Sequence, residues 1–190
     1  MAAVVLAYLL GSMDFGVILP RLGGVDIYAV GSGNPGASNV LRTMGKGWAA
    51  AVMLGDVGKG FVAALIADLW VGEAAGFAAL FAATLGHCYP LYHRFRGGKG
   101  VATGGGGVLW LEPLIGVAGA VFWAFLVWRW RVASIASLLL LAGTVPGMAL
   151  LGHRGWSLVW MSLTAVLIVY RHKDNIKRLL AGAERTVEAA

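Results

Sequence analysis

Two glycine-rich runs combine neutral hydrogen-bond donors with fixed cations, the chemistry needed to hold an anion. The first is GSGNPGASNVLR at 31–42. Glycines let backbone N–H groups converge on a negative charge. Ser32, Asn34, Ser38 and Asn39 add neutral donors, and Arg42 adds a planar fork matched to phosphate. The run also satisfies the G-x-G-x-x-G pattern of dinucleotide sites, but no strand precedes it and no βαβ unit follows, so that reading fails. The second run is GHCYP at 86–90 followed by FRGGKGVAT at 95–103. Glycines around Lys99 just before a helix make an anion cradle at a helix N-terminus. The spacing is not that of a nucleotide P-loop. Arg96 and Lys99 also serve as ordinary orienting charges beside a membrane.

Several polar residues interrupt otherwise apolar segments: Ser12, Asp14, Asp56, Lys59 and His87. An ionisable group within a membrane is costly and marks a functional position by default. Asp56 and Lys59 are three apart, on one helix face, and that spacing lets them neutralise each other. His87 suits a base, a phosphate ligand or a hydrogen-bonded structural role. His153 and His172 lie at helix ends and suggest no role. The single Cys88 excludes an internal disulfide framework and any multi-cysteine metal site. No metal-ligand cluster is visible and no cofactor is expected.

The elements that must position these groups are helices in a membrane. Of the 190 residues 59% are hydrophobic and only 13% charged, too little polar surface for a water-soluble globule. The net charge of +6 does not indicate nucleic acid, because the basic residues fall in short gaps between apolar runs and form no clustered face. The N-terminal segment lacks a basic n-region, so it is expected to remain as a first helix. Helices are predicted at about 2–20, 47–70, 74–92, 101–111, 113–129, 131–152 and 155–171, with Glu112-Pro113 separating the fourth from the fifth. This is an all-α polytopic membrane protein of about seven transmembrane helices, one of them short, forming a single domain over 1–190. With the N-terminus outside and the C-terminus inside, every basic residue except Lys59 and Arg154 falls in an inner segment, counting 171–190 as a basic cytosolic tail. The glycines at 55, 58, 60 and 104–107 are expected to let helices approach closely, and the eight tryptophans mainly to anchor the interfaces.

Taken together, the motifs resemble those of the bacterial acyl-phosphate:glycerol-3-phosphate acyltransferases along nearly the whole chain. The resemblance rests on Gly11-Ser12 with Phe15-Gly16, the runs at 31–42 and 86–103, and Asp56-x-x-Lys59-Gly60. RVASIAS at 131–137 and YRHKDNIKRLL at 170–180 extend it. It implies a seven-helix enzyme of the bacterial inner membrane, with its site on the cytosolic side. The reaction would move a fatty acyl group from acyl phosphate to the 1-hydroxyl of glycerol 3-phosphate, giving lysophosphatidic acid and phosphate. The substrates and membrane lipid would be its partners. Departures include Met13-Asp14 where an apolar residue and Pro or Thr are usual, Ser38 for threonine, Arg96 for lysine, Pro35, and the Gly104–Gly107 run. Asp14 matters most, since an extra anion beside phosphate is unfavourable unless paired.

On this reading Gly31, Ser32, Gly33, Asn34, Gly36, Ser38 and Asn39, with Arg42, would cradle the donor phosphate. Lys99 and Arg96, with Gly97, Gly98, Lys59 and His87, would hold glycerol 3-phosphate, and Ser12 would add a donor. Ser32, Asn39, His87 and Lys99 are the candidate catalytic groups. The mixed anhydride already carries a good leaving group, so positioning and oxyanion stabilisation can supply the catalysis. The hydroxyl proton could go to a substrate phosphate or to His87. Two rivals are an acyltransferase using acyl-CoA or acyl carrier protein and an organic-phosphate transporter. No histidine here has Asp five positions on, and the two halves of the chain show no evident repeat.

Overall fold

The computed structural model describes residues 1–187, and all of its regular structure is helical. The ten α-helices are α1 (Ala2–Gly11), α2 (Phe15–Leu22), α3 (Ala37–Met44), α4 (Lys46–Val71), α5 (Glu73–Cys88), α6 (Val101–Leu111), α7 (Pro113–Trp130), α8 (Ala133–Leu150), α9 (Trp156–Arg171) and α10 (Lys173–Leu180), with a 3₁₀ turn at Leu91–His93. Five stretches are long and apolar enough to cross a membrane: Ala2–Leu22, Lys46–Val71, Glu73–His93, Pro113–Trp130 and Ala133–Leu150. Large apolar side chains such as Leu54, Leu69, Leu114, Val121, Phe125 and Val166 stay exposed on their outer faces, as lipid-facing surfaces require.

Most predicted segments recur with small shifts at their ends. The break at Glu112-Pro113 is present, with Pro113 starting α7, where its missing N–H costs nothing. At 11 residues α6 is short, as expected, and α9 at 16 residues is short as well. The predicted first helix is interrupted. Ser12 ends α1 and Asp14 starts α2, accepting from the Gly16 N–H at 3.0 Å. The polar stretch 21–46 is not all loop, since its second half forms α3.

Small residues bring the helix backbones together around α4 and α5. A Cβ on Gly11 would sit 2.1 Å from the Ala83 carbonyl oxygen, and one on Gly86 would sit 2.3 Å from that of Tyr8, so α1 and α5 touch backbone to backbone. Gly60 and Gly106 do the same between α4 and α6, at 1.9 Å from Thr103 O and 2.0 Å from Val57 O. In lipid such packing replaces the hydrophobic drive that water supplies elsewhere. Gly107 packs against Leu80, but Gly105 has nothing within 4 Å. The expected packing role therefore holds for part of the glycine run only. At the end of α6 away from Gly100, His153 Nε2 lies 2.9 Å from Glu112 and its Nδ1 lies 3.6 Å from Glu73. This ties the α6–α7 turn and the start of α5 to the α8–α9 connection.

Candidate active site

One cavity of about 530 Å³ joins a polar mouth to an apolar limb. Four helices start at the mouth. Gly36, Ala37 and Ser38 open α3; Gly100, Val101 and Ala102 open α6; Ala133 and Ser134 open α8; His172 to Asn175 open α10; all of them line the cavity. Each helix start carries unpaired N–H groups and about half a positive charge. Arg42, Lys99, Arg171 and Arg178 line the same cavity. Helix ends and cations together make a strong anion site. From there the cavity runs between α6, α7, α8 and α9 past Val108, Leu109, Ile115, Trp123, Leu141 and Met161.

The 31–42 run is organised by Asn39. Its Oδ1 accepts from the Ser32 N–H at 2.8 Å and its Nδ2 donates to the Val30 carbonyl at 3.1 Å. Both ends of the amide thus hold the loop, and Asn39 lines the cavity as well. Gly31 is required beside it: φ is +60°, and a Cβ would fall 2.2 Å from Asn39 Oδ1. Gly33, at φ +68°, completes the turn. Ser32, Asn34, Gly36, Ser38 and Arg42 all line the cavity. Burial and nearby Arg185 lower the Arg42 pKa from its ordinary value, against the opposing pull of Glu184, yet it stays a cation at any physiological pH.

In the second run Lys99 reaches the cavity and its neighbours support it. Burial, with Arg178, Arg42 and Arg171 close by, pulls Lys99 down to about 8, opposed by Glu184. Gly97 and Gly98 do not line the cavity; they permit close packing. A Cβ would sit 2.0 Å from His87 O at Gly97 and 2.2 Å from His87 Nε2 at Gly98. Their carbonyls accept from Arg171, Nη2 to Gly97 at 2.8 Å and Nε to Gly98 at 3.0 Å. Arg96 is exposed and stacks over Tyr28 at 4.6 Å, while the Tyr28 hydroxyl donates to the Arg96 carbonyl. It joins the two loops and does not line the cavity.

The buried charges form their own cluster beside this site. Lys59 Nζ is 2.8 Å from Asp56 Oδ1, so the expected pairing is present. It also lies 2.8 Å from His87 Nδ1 and donates to the Met13 carbonyl at 2.9 Å. Lys59 is 6% exposed and does not line the cavity. Its ammonium only donates, so Nδ1 of His87 is the acceptor and the ring proton sits on Nε2, against Gly98. Although His87 borders the cavity, this wiring leaves no free lone pair for a base. The fold also brings ligand atoms of Asp14, Asp56 and His87 within 4.8 Å of one another, a grouping the sequence did not suggest. Lys59 already supplies a positive charge there, and Asp14 caps α2 through Oδ1 while its Oδ2 is buried without a hydrogen-bond partner. Ser12 is buried and donates to Tyr8 O at 2.9 Å, away from the cavity.

Several polar cavity residues went unassigned in the sequence, four of them notable. Ser134, His172, Asn175 and Arg178 lie in or near the matched stretches at 131–137 and 170–180, but their types alone gave no signal. The cue available was the place of Ser134 near the start of one predicted helix and of His172 and Asn175 just past the end of another. His172 donates from Nδ1 to Ile168 O at 2.8 Å, so Nε2 keeps its lone pair. Burial, then Lys99, lowers its pKa to about 4, so the ring is neutral at pH 7.

The sequence pattern of the glycerol-3-phosphate acyltransferase family matches residues 1–182. The chain belongs to that family. Among its members, the glycerol-3-phosphate acyltransferase of Nitrobacter winogradskyi is 43% identical over 188 residues, 98% of this chain and 95% of that protein. That of Pseudomonas aeruginosa is 44% identical over 95% of this chain and 96% of its own. The crystal structure of PlsY (YgiH), an integral membrane glycerol 3-phosphate acyltransferase, in its glycerol 3-phosphate form superposes with a TM-score of 0.93. It shares 38% identity and covers 97% of this chain and 93% of its own. The lysophosphatidic acid form gives a TM-score of 0.91 at the same identity. Membership of this integral membrane family accords with the apolar outer faces and with the resemblance drawn from the motifs.

Proposed function

We propose that this protein transfers a fatty acyl group from acyl phosphate to the 1-hydroxyl of glycerol 3-phosphate, releasing lysophosphatidic acid and phosphate. The observation that carries the reading is the cavity itself, in which four helix starts and a cluster of cations meet at one end and an apolar limb leads away. A phosphate fits the first part and an acyl chain the second. The reading draws further support from PlsY (YgiH), whose crystal structures are of its glycerol 3-phosphate form and its lysophosphatidic acid form.

In the reaction the acceptor hydroxyl attacks the acyl carbonyl, a carbon–oxygen ester bond forms and the bond to phosphate breaks. The hydroxyl proton passes to a phosphate oxygen, because His87 offers no free lone pair and His172 is too weak a base to hold it at pH 7. His172 Nε2 instead accepts a hydrogen bond from the acceptor and orients it. Lys99 and Arg42 stay on the phosphates, with Ser32, Asn34 and Ser38 as neutral donors. Arg96, Gly97, Gly98, Gly31, Gly33, Asn39, Lys59 and Ser12 act by shaping these loops. The distribution of the basic residues supports a mouth on the cytosolic side of a bacterial inner membrane, N-terminus out and C-terminus in.

The test is acyl transfer by purified protein in lipid, with labelled glycerol 3-phosphate and either palmitoyl phosphate or palmitoyl-CoA. Labelled lysophosphatidic acid from palmitoyl phosphate alone is the expected result. Product from palmitoyl-CoA alone would overturn the donor assignment. No product from either, with uptake of labelled glycerol 3-phosphate into liposomes, would make the protein a transporter.

A further inference from the structure

The segment after α10 returns across the mouth and puts a carboxylate into the anion site. Gly182, at φ +65°, turns the chain, and Ala183 N donates back to Arg178 O at 2.8 Å. Glu184 then points inward with its side chain 8% exposed. Its Oε1 accepts from Ser134 Oγ at 3.1 Å and from Asn175 Nδ2, and its Oε2 accepts from Arg178 Nε at 2.9 Å. Two of these donors start α8 and α10. The next residues are tied down as well: Arg42 Nη1 donates to Thr186 O at 3.1 Å, and Val187 N donates to Arg131 O at 2.7 Å.

A carboxylate held by a hydroxyl and an amide at two helix starts, and by a guanidinium from the last turn of α10, occupies a place built for a phosphate face. A phosphate cannot share it, because the same donors would have to serve both anions at contact distance. Arg42 likewise has a backbone carbonyl where a substrate oxygen would go. The family pattern ends at residue 182, so the inserted glutamate lies just beyond the part of the chain that this pattern describes.

We propose that residues 183–187 form an autoinhibitory strap in which Glu184 stands in for a substrate phosphate and must be displaced before that phosphate binds. This rests on the reading of the cavity as a site for phosphate substrates. The strap leaves the apolar limb open, so it gates the anion and not the acyl chain.

The test uses the full chain in lipid nanodiscs with inorganic phosphate and, separately, glycerol 3-phosphate, titrated by calorimetry. With the strap closed in the unliganded protein, E184Q should bind either anion about three- to tenfold more tightly than wild type, as removal of a competing closed state requires. A chain ending after Gly182 should show the same gain. Equal or weaker binding by both variants overturns the proposal, and so does absence of binding in all three proteins. Hydrogen exchange gives a second reading on the wild-type protein: saturating phosphate should expose the Val187 amide, whereas unchanged protection in protein that binds phosphate overturns displacement. A protein that passes these tests but makes no lysophosphatidic acid keeps its strap and loses the proposed reaction.

Discussion

Lys59 Nζ lies 2.8 Å from Nδ1 of His87 and 2.8 Å from Asp56, one ammonium serving two buried partners. Removing it leaves the Asp56 carboxylate enclosed without its cation. K59M should therefore destabilise the protein by about 3–5 kcal/mol. The double variant D56N/K59M should recover part of that loss. Thermal unfolding in one detergent, compared across the two variants, checks this; equal losses would show that the pair is not coupled.

Arg171 sets the position of Lys99 from a distance, through its two hydrogen bonds to the Gly97 and Gly98 carbonyls. Lysine cannot reproduce that fork. R171K should lower kcat/KM by roughly 10- to 100-fold, the scale of a displacement near 1 Å. The melting temperature should change little. Unchanged kcat/KM would mean the loop holds its shape without Arg171.

Two glycines one residue apart on α6 should answer substitution in opposite ways. G106A places a methyl 2.0 Å from Val57 O and should cost about 1–3 kcal/mol of stability. Gly105 lines the cavity with nothing within 4 Å. G105L should fold normally while narrowing the limb, so turnover of palmitoyl phosphate should fall well below that of a short-chain acyl phosphate. Equal loss on both donors would place the chain elsewhere.

Lys99 makes anion binding sensitive to alkali. With its pKa at about 8, it is charged below that pH and loses its charge as pH rises through it. The kcat/KM for glycerol 3-phosphate should drop above pH 8, and K99R, which does not titrate there, should remove that limb of the profile. A profile identical in K99R would assign the drop to another group.

His172 acts on stability in the other direction. Its pKa falls from 6.5 to about 4 on folding, so between those values the unfolded chain binds more protons. Stability from its neutral state is complete above about 6.5 and is lost as pH falls towards 4. The melting temperature should decline across that window, and less so in H172Q. An equal decline in both would exclude His172 as its source.

Much of this protein follows from residue types and their order. Apolar runs broken at Pro90 and at Glu112-Pro113 delimit helices, because lipid demands internally satisfied backbones and a proline lacks the N–H that a helix interior uses. Pro20 and Pro146 nonetheless sit within α2 and α8. The glycine runs at 31–42 and 95–103 do reach one site, with Ser32, Asn34, Ser38, Arg42 and Lys99 at the cavity. Tertiary structure decided which donors point inward. Asn39 became a staple of its own loop, and Arg96 became a stacking partner of Tyr28, a residue far along the chain. Asp14, unfavourable as an isolated anion, became the cap that splits the first helix. Ser134, His172 and Asn175 entered the site because α8 and α10 begin there, and Glu184 because the chain turns back after α10. A helix start attracts anions through the position of its free N–H groups in space. That position is a property of packing, which no local motif records.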